Sequence, residues 1–272
     1  MAGKPHSNSS FTTVSTNTEN SATPTTSIKT RYTSIFHYFL HLLLPPACQL
    51  CGEALPTDSS APALCHACSS GCIQEAPASC PLCAEPYAAP MVAVHKCTQC
   101  VQHPPAFTWL KTIGIHADDL QLAVHELKYA GRFHLAHPLA QLLLQRLHRE
   151  ISNYAPQTII PVPLHPKRLR ERGYNQSLLV AQQLGSALKI DISSDYLLRI
   201  RATRSQTDLT RKERQQNLHG AFTLHGAITP QRILLVDDVV TTTATCRECA
   251  TILVSAGHEV AVVALGRARL HS

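Results

Sequence analysis

The chain has 272 residues, enough for one fair-sized core plus a small module. It holds 24 Lys and Arg against 18 Asp and Glu, for a net charge of +6. No apolar run reaches the roughly 18 to 20 residues of a membrane span, which excludes a spanning helix from the reading. The charge is uneven: from Phe107 onward there are 20 basic against 13 acidic residues, so the excess lies in the back of the chain. A basic face of this kind suits a polyanion, either nucleic acid or a pyrophosphate-bearing substrate.

Residues 1–30 are mostly Ser, Thr and Asn. They cannot bury enough surface to offset the entropy of ordering, which predicts a disordered tail. Residues 31–47 carry a short apolar run, Ile35 to Leu44, interrupted by His37 and His41. It is too short to span a membrane and is read as a helix docking the next module. Residues 48–105 hold an internal repeat. Cys48, Cys51, Cys65 and Cys68 recur 32 residues later as Cys80, Cys83, Cys97 and Cys100. Each copy reads C-x₂-C-x₁₃-C-x₂-C, a spacing that can supply a tetrahedral S₄ shell for zinc. Two ions bound sequentially is the first expectation; Cys48/Cys51 joined by Cys80/Cys83, and a single ion with the other lost, are the alternatives. Ten of the eleven cysteines fall in C-x-x-C pairs, which suits metal binding in a reducing cytosol better than disulfides. Cys72 falls outside the repeat. His66, His95 and His103 are surface histidines in this reading.

Residues 107–272 alternate strands and helices, which argues a parallel α/β sheet. The expected elements are a strand or hairpin over 107–116, helices over 118–129 and 135–151, and a doubly buried strand over 158–164. A helix over 175–188, a strand over 195–201 and a short basic helix over 209–218 follow. The last three are a strand over 232–236, a helix over 246–255 and a strand over 259–265.

Four clusters carry candidate chemistry. The first follows the 232–236 strand: Asp237, Asp238, Val239, Val240, Thr241, Thr242, Thr243, Ala244 and Thr245. Ligands of parallel sheets bind where a strand's carboxyl end meets the next helix, whose free N–H groups favour phosphate. The paired acids sit where they could hold sugar hydroxyls or hydrated Mg²⁺. The second is the basic loop after the 158–164 strand, with His165, Lys167 and Arg168 as anion contacts. The third is Arg172, Gly173, Tyr174, Asn175 and Gln176, where Gly173 permits a turn and Tyr174 could stack on a base or sugar. The fourth is the run Arg199, Arg201, Arg204, Arg211 and Arg214, which would track a phosphate backbone if it lined one groove. For Lys128 two readings stand: an anion contact in the cleft, or a surface lysine. Cys246-x-x-Cys249 opens a helix, a position that can lower a thiol pKa.

These words resemble a known family. Asp237 to Thr245 is similar to the phosphoribosyl pyrophosphate (PRPP) loop of type I phosphoribosyltransferases. Together with Cys48-x-x-Cys51, Lys128-Tyr129-Ala-Gly131, Pro161-Val-Pro-Leu-His165, Arg172-Gly-Tyr-Asn-Gln-Ser177, Gln206, Arg214 and Asn217, it resembles the ComF family over residues 40 to 270. The resemblance implies a type I phosphoribosyltransferase-like parallel sheet flanked by helices, preceded by a double zinc ribbon. It implies that Asp237 and Asp238 face the ribose and Mg²⁺, that Thr241 to Thr245 hold the 5′-phosphate, and that His165, Lys167 and Arg168 meet the pyrophosphate. Arg172 to Gln176 would then be the hood over PRPP. It also implies a cytoplasmic role in DNA uptake or utilisation, with single-stranded DNA and competence-machinery proteins as partners. The sequence departs from the family loop at Thr243, which stands where glycine is usual. Three functions remain open: a single-strand-handling competence protein, an Mg²⁺-dependent transferase on an unidentified acceptor, and a zinc-ribbon adaptor that senses a phosphorylated metabolite.

Overall fold

A computed structural model describes residues 45–56, 63–73, 78–87, 94–202 and 218–269. The expected tail over 1–30, most of the docking helix and the basic helix over 209–218, except Leu218, lie outside the described residues. So do Arg204, Arg211 and Arg214.

The elements follow the chain as α1 (His66–Cys72), α2 (Thr98–Gln102), β1 (Leu110–Ile115), α3 (Asp118–Tyr129) and a 3-10 turn (Phe133–Leu135). Next come α4 (Ala136–Tyr154), β2 (Thr158–Pro161), α5 (Pro166–Arg172), α6 (Gln176–Leu188), β3 (Leu197–Arg199) and β4 (Phe222–Leu224). The chain closes with β5 (Arg232–Val240), α7 (Ala244–Ser255) and β6 (Glu259–Arg267). Four strands form one parallel sheet in the order β1-β6-β5-β2. The segment 191–193 continues it beyond β2, where Ile159 N–H donates to Asp191 O and Ser193 N–H to Ile159 O.

The central strands are apolar on both sides because both sides are covered. Alternate residues feed two cores. Leu234, Val236, Ala261, Val263 and Leu265 pack with α3, α4 and α6, while Ile233, Leu235, Val260, Val262 and Ala264 pack with α7 and the β3–β4 pair. The cysteine module joins both. Cys48, Cys65, Cys68 and Cys72 belong to the first core, and Cys80, Cys83 and Cys100 to the second. The module thus straddles the β1 edge of the sheet, and Leu110 N–H donates to Leu82 O there at 2.8 Å. Gly71 on α1 packs so closely on α3 that a Cβ would lie 1.9 Å from an Asp119 carboxylate oxygen.

Several expected elements change. The strand expected over 158–164 stops at Pro161, since Pro161 and Pro163 have no N–H for a ladder. The strand expected over 195–201 shrinks to β3 and leaves the parallel sheet to pair antiparallel with β4, which the sequence did not announce. The basic loop after β2 is a helix, α5. Pro166 begins it, and His165 Nδ1 accepts from Lys167 N–H as its cap.

Candidate phosphate and metal sites

Each cysteine tetrad is drawn from one repeat. Cys48, Cys51, Cys65 and Cys68 bring their sulfurs within 4.8 Å of one another, and Cys80, Cys83, Cys97 and Cys100 do the same. The sequential pairing holds and the interleaved one does not. A tetrahedral site with Zn–S near 2.3 Å sets sulfurs about 3.8 Å apart. The Cys51–Cys65 and Cys83–Cys97 sulfurs are 3.8 and 3.7 Å apart, so the donor set fits zinc. Backbone N–H groups of Cys68 and Cys97 point at the sulfurs of Cys65 and Cys80. Gly52 closes the first knuckle with φ of 78°, and Ala84 takes the same place in the second with φ of 55°. His66, His95 and His103 belong to neither tetrad, and Cys72 is buried in the core beside them.

The second site lies at the carboxyl end of β5, where the strand runs on through the acidic pair to Val240. Asp237 is buried. Its Oδ1 accepts from Asp238 N–H at 2.8 Å and from Ser177 Oγ at 3.4 Å, and its Oδ2 accepts from Cys246 Sγ at 3.6 Å. Burial, and then the neighbouring Asp238, push its carboxyl up to about 7. Asp238 is half-buried and pairs with Lys128 Nζ at 3.1 Å, so Lys128 is a cleft residue rather than a surface one. Beside them His116 is held below the usual imidazole range, by burial and then by Lys128.

The turn Thr241 to Thr243 leads into α7. Thr243 adopts φ 63° and ψ −4°, the left-handed conformation expected of glycine at this place. Its hydroxyl donates to Thr242 O at 2.5 Å and accepts from Arg247 Nε at 3.0 Å. The cavity lined by Asp237, Val239, Val240, Thr241, Thr243, Ala244, Thr245 and Cys246 has about 10 Å³ of open space, room for one water. Cys246 and Cys249 are buried. Burial, then Asp237, raises both thiols well above their usual range, opposite to the lowering their helix position suggested.

A larger cavity of about 220 Å³ lies beyond β2 and is lined by His165, Lys167, Arg168, Glu171, Arg199 and Ala202. Arg199 stands here, 8% exposed and 5.3 Å from the Phe222 ring centroid, rather than on an open groove. Burial, then the Arg168 charge, lowers its pKa. Arg201 points elsewhere and donates to His219 O at 2.5 Å. Between the two sites, Asn175 caps α6 by accepting from Ser177 N–H, and its amide donates to Val162 O. Arg172 donates to the buried Gln176. Tyr174 Oη donates to Leu127 O at 2.6 Å, which ties the turn down to α3.

Sequence reasoning missed two arginines that join the metal module to the phosphate loop. Arg267, 1% exposed, donates to Thr241 O and pairs with Glu85, two residues after Cys83. Arg247 reaches from Thr243 Oγ1 to His103 O at 2.7 Å and Cys100 Sγ at 3.5 Å. The one available signal was a charge, Arg267, ending a strand that is uncharged from Val260 to Gly266.

No family model matches the chain. Curated relatives do match. The DNA utilization protein YhgH of Salmonella typhimurium is 35% identical over 219 residues, covering 79% of this chain and 94% of that protein. Competence protein F of Haemophilus influenzae is 34% identical over 179 residues, covering 63% of this chain and 78% of that protein. The chain belongs to the ComF family. Its parallel sheet, flanking helices and twin cysteine tetrads are the architecture expected of a ComF chain. Among solved structures it is similar to the orotate phosphoribosyltransferase of Aeropyrum pernix, at 18% identity and a TM-score of 0.30 over 50% of this chain and 59% of that one. It is also similar to Leishmania donovani UMP synthase, at 17% identity and a TM-score of 0.30 over 53% of this chain and 24% of that one. No helix among the described residues is long and apolar enough to cross a membrane.

Proposed function

We propose that this ComF-family chain handles single-stranded DNA in the cytoplasm and carries a PRPP-type ligand at the end of β5. The observation that carries the ligand reading is the convergence of Asp237, Asp238, the Thr241–Thr245 turn and the basic cavity on one end of the sheet. The N–H groups at the start of α7 suit a 5′-phosphate. Asp237 and Asp238 suit ribose hydroxyls. Lys167, Arg168 and Arg199 suit the pyrophosphate, because two guanidinium groups that disfavour each other are relieved by an anion between them.

Two contacts must give way on binding. Lys128 must leave Asp238 or share it, and the turn at Thr243 must open from its present one-water cavity. Asp237 and Asp238 would hold hydrated Mg²⁺, which would supply charge neutralisation for the pyrophosphate. The zinc ions would be structural, held by the two tetrads. The active-transferase reading shares this site and needs in addition an acceptor. The adaptor reading needs binding without turnover.

Calorimetric titration of PRPP, with and without Mg²⁺, tests the ligand reading. Mg²⁺-dependent heat that disappears in Asp238→Asn is the expected result. No heat from a folded, zinc-loaded protein contradicts it.

A further inference from the structure

The turn Arg172-Gly173-Tyr174 lies against the end of α3 and the 3-10 turn after it. The Arg172 guanidinium sits 5.0 Å from the Tyr129 ring centroid and donates to Tyr129 Oη at 3.2 Å. Tyr174 meets Phe133 edge-on, with centroids 6.5 Å apart. Both partners remain open to solvent: Tyr129 is 63% exposed and Phe133 62%. Their neighbours show that the chain can bury apolar groups here, because Leu127 and Leu135 are wholly buried. Two large aromatic rings, Tyr129 and Phe133, are thus left exposed beside this one turn, each with ring surface on which a base can stack.

The surroundings of this patch are cationic. Helix α5, which ends in Arg172, carries Lys167, Arg168, Arg170 and Arg172 against one acid, Glu171. Lys128, the residue before Tyr129, is paired with Asp238 in the cleft, so the positive charge beside the patch comes from α5. Aromatic faces beside a basic track are the two parts of a single-strand site: rings stack bases of any sequence, and the charges follow phosphates.

We propose that Tyr129 and Phe133, braced by Arg172 and Tyr174, are a stacking platform for the bases of single-stranded DNA, with its phosphates running along α5. The proposal rests on the DNA-handling reading above and deepens it. An open face cannot enclose a lone base, but a strand anchored along α5 need only lay its bases down. Duplex DNA keeps its base faces stacked on one another and cannot use the platform.

The test is fluorescence anisotropy with a labelled oligo-dT and an abasic oligonucleotide of the same length, using the full zinc-loaded chain. Tyr129→Ala and Phe133→Ala are each expected to weaken oligo-dT binding about tenfold, the loss of one stack at 1.4 kcal/mol per tenfold. They should leave abasic binding unchanged, and Phe133→Trp should retain the wild-type affinity. Both side chains are exposed, so unchanged melting temperatures accompany these results. If oligo-dT and the abasic strand bind alike and neither alanine variant changes this, the platform is overturned while DNA handling stands. If neither oligonucleotide binds, the DNA reading falls and the platform falls with it.

Discussion

The pair Glu85–Arg267 crosses from the second cysteine knuckle to the phosphate turn, and its two ends differ in access to water. The Arg267 side chain is 2% exposed and that of Glu85 is 24% exposed. Removing one partner of a buried pair costs about 3–5 kcal/mol, because the other charge is stranded. Glu85→Ala strands the guanidinium with only Thr241 O to receive it, so it belongs at that level. At ~2–4 °C per kcal/mol for a fold of this size, the melting temperature should fall by about 10 °C. Arg267→Met strands a carboxylate that can turn to water, so its cost should be smaller, about 2 kcal/mol. Glu85→Leu combined with Arg267→Met removes both charges and should recover much of the loss. Thermal and urea unfolding at fixed zinc concentration would measure all three. An Arg267→Met loss larger than that of Glu85→Ala, or a Glu85→Ala protein as stable as wild type, would refute the asymmetry.

Three further outcomes are expected. Thr243→Gly relieves a left-handed residue, worth roughly 1–2 kcal/mol, but gives up hydroxyl bonds worth about 1 kcal/mol and gains unfolded-state freedom. Stability should therefore stay within about 1 kcal/mol while PRPP affinity by calorimetry rises; weaker PRPP binding would contradict the crowding argument. Asp237, raised to about 7, keeps its proton in the fold at pH values where the unfolded chain has lost it. Its contribution to stability is full below about pH 4 and is lost as pH rises through 7, so Asp237→Asn should flatten that decline in unfolding experiments run across pH. Zinc released per chain, read by a colorimetric chelator, should fall from two to one in Cys65→Ser and again in Cys97→Ser. Loss of both ions in either variant would show that the tetrads are not independent.

Much of this was legible because it is local. The 32-residue offset of the cysteines favours one tetrad per repeat, which the structure bears out over the interleaved pairing, and the residues of α3 match expectation because Asp118, Asp119 and the 3.6-residue apolar stripe mark its span. The apolar run before Asp237 is enough to place the acids at a strand's end. The misses are non-local or depend on competing signals. β3 and β4 have three residues each and find one another across a long connection, which leaves no periodicity to read. α5 was hidden by its prolines, which stiffen a loop in one reading and start a helix in the other. The Arg267–Glu85 and Arg247–Cys100 contacts span 182 and 147 positions, and neither end signals the other.

If the tetrads hold zinc as proposed, the position of the cysteine module at the β1 edge has a consequence for the chain once the metal is removed. A parallel sheet that ends in an uncovered strand offers its N–H and C=O groups to any other extended chain. Here the second knuckle supplies Leu82 O to that edge, and the two knuckles cover one sheet face each. Chelation or thiol oxidation would unfasten both covers together. It would bare the edge with the apolar residues on either side of it, making strand-to-strand aggregation the characteristic fate of the metal-stripped protein.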